Sequence, residues 1–395
     1  MSARISYMGT KHDLAGRVRK VISKCQPGQL LDAFAGMGAV AEAHAGRRRV
    51  WTNDVQQFAY LASKCRFTAQ AGPPKAATFR AAVRRFYDEN MTRLQDQNAA
   101  AWFDARKLLQ ADDFEEFGTR FRAIEEARRH HKDAYGCFFR TYGNAYFSLT
   151  QAAEIDSIRY ALDTLRGQGV VTVVEFDWAL LALGHAALRV ANTTGHFAQF
   201  LTPSEKNVGR VIQQFGRSVF SEWMNSIETM KPIGSSKWRE ANRATRSDSA
   251  TLLRGIPKGS GLGVVYCDPP YTDDQYSRFY HVWETLVLYD YPEIIGQGRY
   301  RPGRFTTDFS LRSRVADAFR SLVEEVSATG ADLVLSYPSN GLLHEVGGSP
   351  LDALRAKYPN ARLAAEVEYN HSTMGASKGQ AKSSVAERIY VGRAV

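Results

Sequence analysis

Short apolar runs and helix-like stretches alternate over the first seventy residues. Residues 30–34 (LLDAF) form an apolar run that ends at the turn Gly36-Met37-Gly38, and AVAEAHA after it reads as a helix. RVWTND (49–54) predicts a second strand and residues 55–69 a second helix. From about residue 70 to 245 the alternation stops, and the pattern becomes helical and rich in arginine and aromatic residues. Phe114, Phe117, Phe121 and Ile124 fall at three- and four-residue spacing on one helical face, the pattern of core packing. After residue 245 the alternation resumes. GLGVVYC (261–267) predicts a strand, 315–330 a helix, 331–341 a strand and turn, and LDALRAKYP a further helix. Residues 363–370 and 384–394 predict two last strands. Half a sheet at each end implies one α/β domain, a Rossmann-like doubly wound sheet built from 1–66 and 246–395. A large helical insertion, 67–245, lies between its two halves.

Residues 169–191 are the most apolar stretch, but Glu175, Asp177, His185 and Arg189 interrupt it, so a buried core helix is expected and no membrane span. No apolar core of signal-peptide type stands near the N-terminus. The four cysteines, Cys25, Cys65, Cys137 and Cys267, are scattered without a C-x-x-C pair, which predicts neither a metal site nor a disulfide framework and fits a reducing cytoplasm. The net charge of +10, from 51 Lys and Arg against 41 Asp and Glu, favours a polyanionic partner such as nucleic acid.

Asp268-Pro269-Pro270-Tyr271 follows the apolar strand directly, so it points into the crevice where doubly wound sheets bind ligands. The two prolines fix the backbone and remove two donors. Asp268 and the Pro269 carbonyl can accept the two protons of a planar amine while Tyr271 stacks on its ring. An exocyclic base amine is a poor nucleophile because its lone pair is delocalised. Hydrogen bonds to both protons favour a more tetrahedral nitrogen, as methyl transfer to that nitrogen requires. No cysteine stands in the Pro-Cys context of a cytosine ring-carbon methylase.

The turn Asp32-Ala33-Phe34-Ala35-Gly36-Met37-Gly38 lets backbone approach a ligand closely, and Asp54, about twenty residues on, stands where an acid holds ribose hydroxyls. Together they suit a nucleoside cofactor without a pyrophosphate, S-adenosylmethionine rather than NAD.

Tyr7-Met8-Gly9-Thr10-Lys11, the D-A-F-A-G-M-G turn, Asn53-Asp54, Asp248 and Asp268-Pro269-Pro270-Tyr271 occur in an order that resembles the Dam-like, alpha-group adenine-N(6) DNA methyltransferases, restriction-associated modification methylases among them. The resemblance implies that Asp32, Phe34, Gly36 and Gly38 belong to the cofactor site. It also implies that Tyr7 and Lys11 line that pocket, that Asp54 holds the ribose and that Asp248 holds the adenine amine. Asp248 also reads as a helix N-cap. Gln275–Thr285, ending in Tyr289-Asp290-Tyr291-Pro292, is similar to the segment after the D-P-P-Y motif in restriction-associated members. The insertion stands where the family keeps its target-recognition region.

Basic loops sketch a DNA-facing surface: Lys231, Lys237, Arg239 and Arg243, then Arg301 and Arg304, then Lys378 and Lys382. His281 and Glu284 read equally as acid/base groups or as a helix packed behind the site. The resulting expectation is a monomeric cytoplasmic enzyme. It flips adenine out of double-stranded DNA, methylates the 6-amino group in a sequence-specific way, and works beside a cognate restriction endonuclease or in a related defence system. A methyltransferase of RNA adenine or of cytosine's 4-amino group stays open, as does a catalytically dead DNA-recognition subunit.

Overall fold

The computed structural model describes residues 12–129, 134–370 and 384–394; Tyr7, Lys11, Lys378 and Lys382 lie outside them. Among the described residues seven strands form one sheet: β1 (Gln29–Asp32), β2 (Val50–Asp54), β3 (Arg243–Arg246), β4 (Leu262–Cys267), β5 (Asp332–Pro338), β6 (Arg362–Asn370) and β7 (Ser384–Gly392). Their order is β3-β2-β1-β4-β5-β7-β6. The first five in that order run parallel, and β7 pairs antiparallel with both β5 and β6. The chain winds outward from β1 through β2 to β3 and then returns to β4 beside β1. The sheet direction therefore switches between β1 and β4, where open α/β sheets form their binding crevice. This is the doubly wound α/β sheet that the alternation predicted.

Neighbouring residues of the central strands serve opposite faces. Leu31, Val265, Leu333 and Leu335 pack with Phe319, Leu322 and Val326 of the helix Val315–Thr329. Leu30, Val264, Tyr266 and Val334 pack on the other side with Leu14, Val18 and Ile22 of the helix His12–Ile22. Burial on both faces explains why these strands read as unbroken apolar runs rather than alternating ones.

The described residues divide into two compact units. Residues 12–70, 232–277 and 305–394 form the sheet unit; 71–231 and 278–304 form a helical unit. These bounds differ from the expected insertion, 67–245, at its end and by a second segment. Trp238 lies in the sheet unit's core and donates from Nε1 to the Arg48 carbonyl (2.8 Å). Asn242 Oδ1 accepts from the Val50 N–H at 2.9 Å. β3 then pairs in register with β2, Trp51 opposite Arg243. Residues 278–304, expected in the sheet domain, join the helical unit instead; there the Arg299 guanidinium donates to the carbonyls of Thr141 (3.1 Å) and Gly143 (2.8 Å).

In the helical unit, helix Ala76–Gln97 packs on Leu149–Gly167, and Val173–Val190 packs on Val219–Thr229. Capping boxes start two of these helices, Ser148 with Gln151 and Thr172 with Glu175, each satisfying two orphan N–H groups. Phe117 and Ile124 are buried with Leu94, Trp102 and Val211, and Phe114 and Phe121 pack against them, so the phenylalanine face is core. Val173–Val190 is likewise a buried helix, and among the described residues none is long and apolar enough to cross a membrane.

Candidate active site

β1 ends at Asp32, and its continuation is held by neighbouring strands. The Ala33 N–H donates to the Tyr266 carbonyl (3.0 Å) and the Ala35 N–H to that of Asn53 (2.9 Å). The chain then turns through Gly36 (φ 50°) and Gly38 (φ 74°), both left-handed. A Cβ on Gly38 would stand 2.2 Å from the ring of the fully buried Phe67, so this position admits only glycine on two counts. At the end of β2 the Asp54 carboxylate accepts from the N–H of Gly36 and from that of Gln56, both at 2.9 Å. Asn53 Nδ2 reaches the carbonyls of Ala33 (3.3 Å) and Ser247 (3.0 Å), tying the loops after β1 and β3 to the end of β2.

β4 delivers Asp268-Pro269-Pro270-Tyr271 beside that turn. The Tyr271 carbonyl accepts from the Leu342 N–H (2.8 Å), and its half-buried ring meets Tyr276 edge-on with centroids 6.0 Å apart. Gln275 fixes the opposite wall through both backbone groups of Thr307, accepting from its N–H (2.8 Å) and donating to its carbonyl (3.1 Å).

These elements enclose one cleft. Asp32, Phe34, Gly36, Asp54, Asp248 and Asp268 through Tyr271 all line it. Gly38 shapes the turn but does not line the cleft. Asp248 is also the N-cap of the helix Ser249–Arg254, its Oδ1 accepting from the Thr251 N–H at 3.0 Å, so both readings of that residue meet in one side chain. The sequence reading did not single out Val55, Gln56, Ser247, Phe305 or Thr307, which also line the cleft. Phe305, 38% exposed, has no periodic partner in the sequence that would have marked it.

The cleft spans about 1060 Å³ with its open mouth, the scale of a small-molecule site. Four aspartates line it, and among the described lining residues there is no lysine or arginine. Burial, and the nearby carboxylates of Asp268 and Asp54, push the Asp32 carboxyl well above its ordinary range. Its Oδ1 is buried with no hydrogen-bond partner among the described residues. Such a lining suits a cationic ligand and opposes a pyrophosphate.

The basic residues separate by environment. Lys231 and Lys237 are exposed, and Arg243 is exposed with its guanidinium 4.2 Å from the Trp51 ring. Arg239 departs from expectation. It is buried, donating to the carbonyls of Ala69 (2.7 Å) and Gly234 (2.5 Å), so its guanidinium is engaged in holding loops together. Arg301 forms a two-bond pair with Asp290 (3.1 and 2.5 Å), and Arg304 lies 4.5 Å from the Tyr300 ring centroid. His281 is fully buried against the Phe197 carbonyl (2.9 Å), and burial lowers its pKa to about 3, which makes it a neutral core residue of the helical unit. The four cysteines, all among the described residues, are buried and form no disulfide.

Residues 249–330 match the model of the D12 class N6 adenine-specific DNA methyltransferases. The chain is 25% identical to modification methylase LlaI of Lactococcus lactis subsp. lactis over 350 residues, 88% of this chain and 47% of that protein. It is 25% identical to type II methyltransferase M.FokI of Planomicrobium okeanokoites over 347 residues (86% and 45%). With modification methylase StsI of Streptococcus sanguinis it shares 24% over 344 residues (86% and 44%). The chain thus spans about half the length of the curated relatives it matches. The matched segment holds β4 and the Asp268–Tyr271 motif, so the family model and the resemblance read from the sequence meet on the same residues, and this part of the chain is similar to the D12 class of N6 adenine-specific DNA methyltransferases.

Proposed function

We propose that the chain transfers a methyl group from S-adenosylmethionine to the 6-amino group of an adenine flipped out of duplex DNA. It does so at a defined sequence, as the modification enzyme of a restriction-modification or related defence system, in the cytoplasm and as a monomer. What supports this reading above all is that Asp268-Pro269-Pro270-Tyr271 and the Asp54-bound glycine turn share one acidic cleft. The names of the relatives, modification methylases and type II methyltransferases, point the same way.

The acidic lining favours the sulfonium and ammonium charges of the proposed cofactor, with Asp54 for its ribose, Asp248 for its adenine and Phe34 beside the glycine turn. When bound, the cofactor supplies an electrophilic methyl group. The chain supplies orientation. Asp268 and the Pro269 carbonyl accept the two amine protons, the prolines hold those acceptors in place, and Tyr271 stacks on the extruded base. Extrusion costs a few kcal/mol, offset by that stacking and by phosphate contacts.

The test is transfer of labelled methyl from S-adenosylmethionine to unmethylated plasmid DNA, with nucleoside analysis. The expected product is 6-methyladenine, absent with Asp268→Ala. Product on RNA or on cytosine's 4-amino group would replace the substrate. Absence of both product and cofactor binding would reduce the chain to a DNA-recognition subunit.

A further inference from the structure

We propose that a second pocket, in the helical unit and lined by Arg128, Arg129, Arg140 and Arg299, seats a phosphate of the DNA backbone. The pocket spans about 1290 Å³ with its mouth, and Glu125 is the one carboxylate among its described lining residues. Four guanidinium groups therefore face a single negative charge.

That carboxylate is already fully engaged. Arg299 Nη2 donates to both Glu125 oxygens at 2.9 Å, and Arg128 forms a two-bond pair with the same group. Arg128 and Arg299 are 3% and 9% exposed, so two guanidiniums are buried against one carboxylate. Burying a charge without its counter-charge is unfavourable, and an anion in the pocket relieves it. The electrostatics agree: burial and the neighbouring Arg128 lower the Arg299 pKa to about 10, the mark of a crowded positive site. Arg299 is also held in a left-handed conformation, φ 51°, uncommon for a side chain of its size. Its remaining bonds go to the Thr141 and Gly143 carbonyls, which fix the fork in place.

Two arginines are left for a ligand. Arg129 is exposed, reaching Glu125 only at 3.4 Å, and the Arg140 side chain makes no hydrogen bond or ion pair among the described residues. Gln199 and Thr202, exposed at the rim, add neutral hydrogen-bonding groups of the kind that surround a phosphodiester. Arginine forks match a tetrahedral oxyanion bidentately, and a duplex backbone presents such groups at short intervals. Arg299 stands in the basic loop that also carries Arg301 and Arg304, whereas Arg128, Arg129 and Arg140 come from the helical stretch. Arg299 is distant in sequence from the other three and meets them only in the fold.

The inference rests on the reading of the chain as a DNA-modifying enzyme, and its test separates the two. Binding of a fluorescent DNA duplex is measured against salt for the full chain, for Arg129→Ala/Arg140→Ala and for Arg129→Lys/Arg140→Lys. All are first checked for an unchanged unfolding transition. The alanine pair is expected to flatten the slope of log K against log salt by about 0.9 for each phosphate it no longer neutralises, and the lysine pair to restore most of it. An unchanged slope in a folded alanine variant overturns the site. Should the full chain bind no duplex, the DNA reading fails by itself. Inorganic phosphate then decides the pocket: a thermal shift in the full chain but not in the alanine variant supports an oxyanion seat, and no shift in either overturns it.

Discussion

Asp54 is joined to Gly36 by a hydrogen bond from the glycine N–H to Oδ2, 2.9 Å long, so the end of β2 clamps the turn that follows β1. Its other oxygen accepts from Gln56, so one carboxylate serves both the fold and the cleft. Replacing it by alanine strips acceptors from two part-buried N–H groups, a loss of at most about 1–3 kcal/mol for each donor left unsatisfied. Asp54→Ala is expected to lower the unfolding midpoint and to weaken S-adenosylmethionine binding at least tenfold by calorimetry. Asp54→Asn, which keeps one oxygen, should lose less stability but still bind poorly. Normal affinity in a destabilised alanine variant would make Asp54 a clamp alone.

Asp32 provides a pH test. Its carboxyl is held well above 3.8, so near the folded pKa a fraction is protonated, and a cation entering the cleft favours the charged form. Cofactor binding should therefore release protons, and affinity should rise with pH until Asp32 is fully ionised. Calorimetry in buffers of differing ionisation enthalpy measures that release, and Asp32→Asn should abolish it. A wild-type chain that releases none would mean Asp32 stays neutral when the cleft is occupied.

Gly38 should be intolerant of any side chain. Its left-handed φ of 74° costs an alanine about 1 kcal/mol, and the added methyl meets the buried Phe67 ring. Gly38→Ala is expected to destabilise the sheet unit by roughly 2–4 kcal/mol, strain and overpacking together. In a double-mutant cycle, Phe67→Leu should recover the steric part but not the backbone part. Strict additivity would show that the two residues do not touch in solution.

Asp156 gives the helical unit its own pH signature. The carboxylate is fully buried, accepting from the N–H groups of Phe138 (2.9 Å) and Phe139 (2.8 Å) and from the Tyr289 hydroxyl (2.5 Å). Burial outweighs those bonds and raises its pKa from 3.8 to about 7. The folded chain thus holds the proton more tightly than the unfolded one. The resulting stabilisation is full below pH 3.8 and is lost as pH rises through about 7, on the order of 4 kcal/mol in all. Asp156→Asn, neutral throughout, should lack that decline in denaturant titrations between pH 4 and 8. Parallel curves for the two proteins would contradict the raised pKa.

The cleft was legible in the sequence because each part has a local cause. Glycines are needed where φ is positive, an acid closes β2, and two prolines follow an apolar strand. β3 was not legible: Arg-Ala-Thr-Arg has one β-branched residue and no apolar run, and it is a strand only because β2 offers it an unpaired edge. Arg239 shows the matching limit. In a run of basic residues it looks solvated, yet its guanidinium is spent on two carbonyls, a fate that depends on loops distant in sequence. Phe305 and the arginine pocket failed to show for the same reason, since their partners are assembled by folding and not by spacing.

The split layout has a consequence during synthesis. β1 and β4, the pair that frames the cleft, are separated by nearly all of the helical unit, and β5 pairs with β7, whose residues are translated later still. A ribosome therefore finishes 71–231, with its own buried core, well before the sheet can close. The nascent chain then holds the first segment of the helical unit, with Arg128, Arg129 and Arg140, while it still lacks both Asp268 and Arg299. Until β4 is made and pairs with β1, the cleft has only one of its two framing strands, however much of the helical unit is already buried.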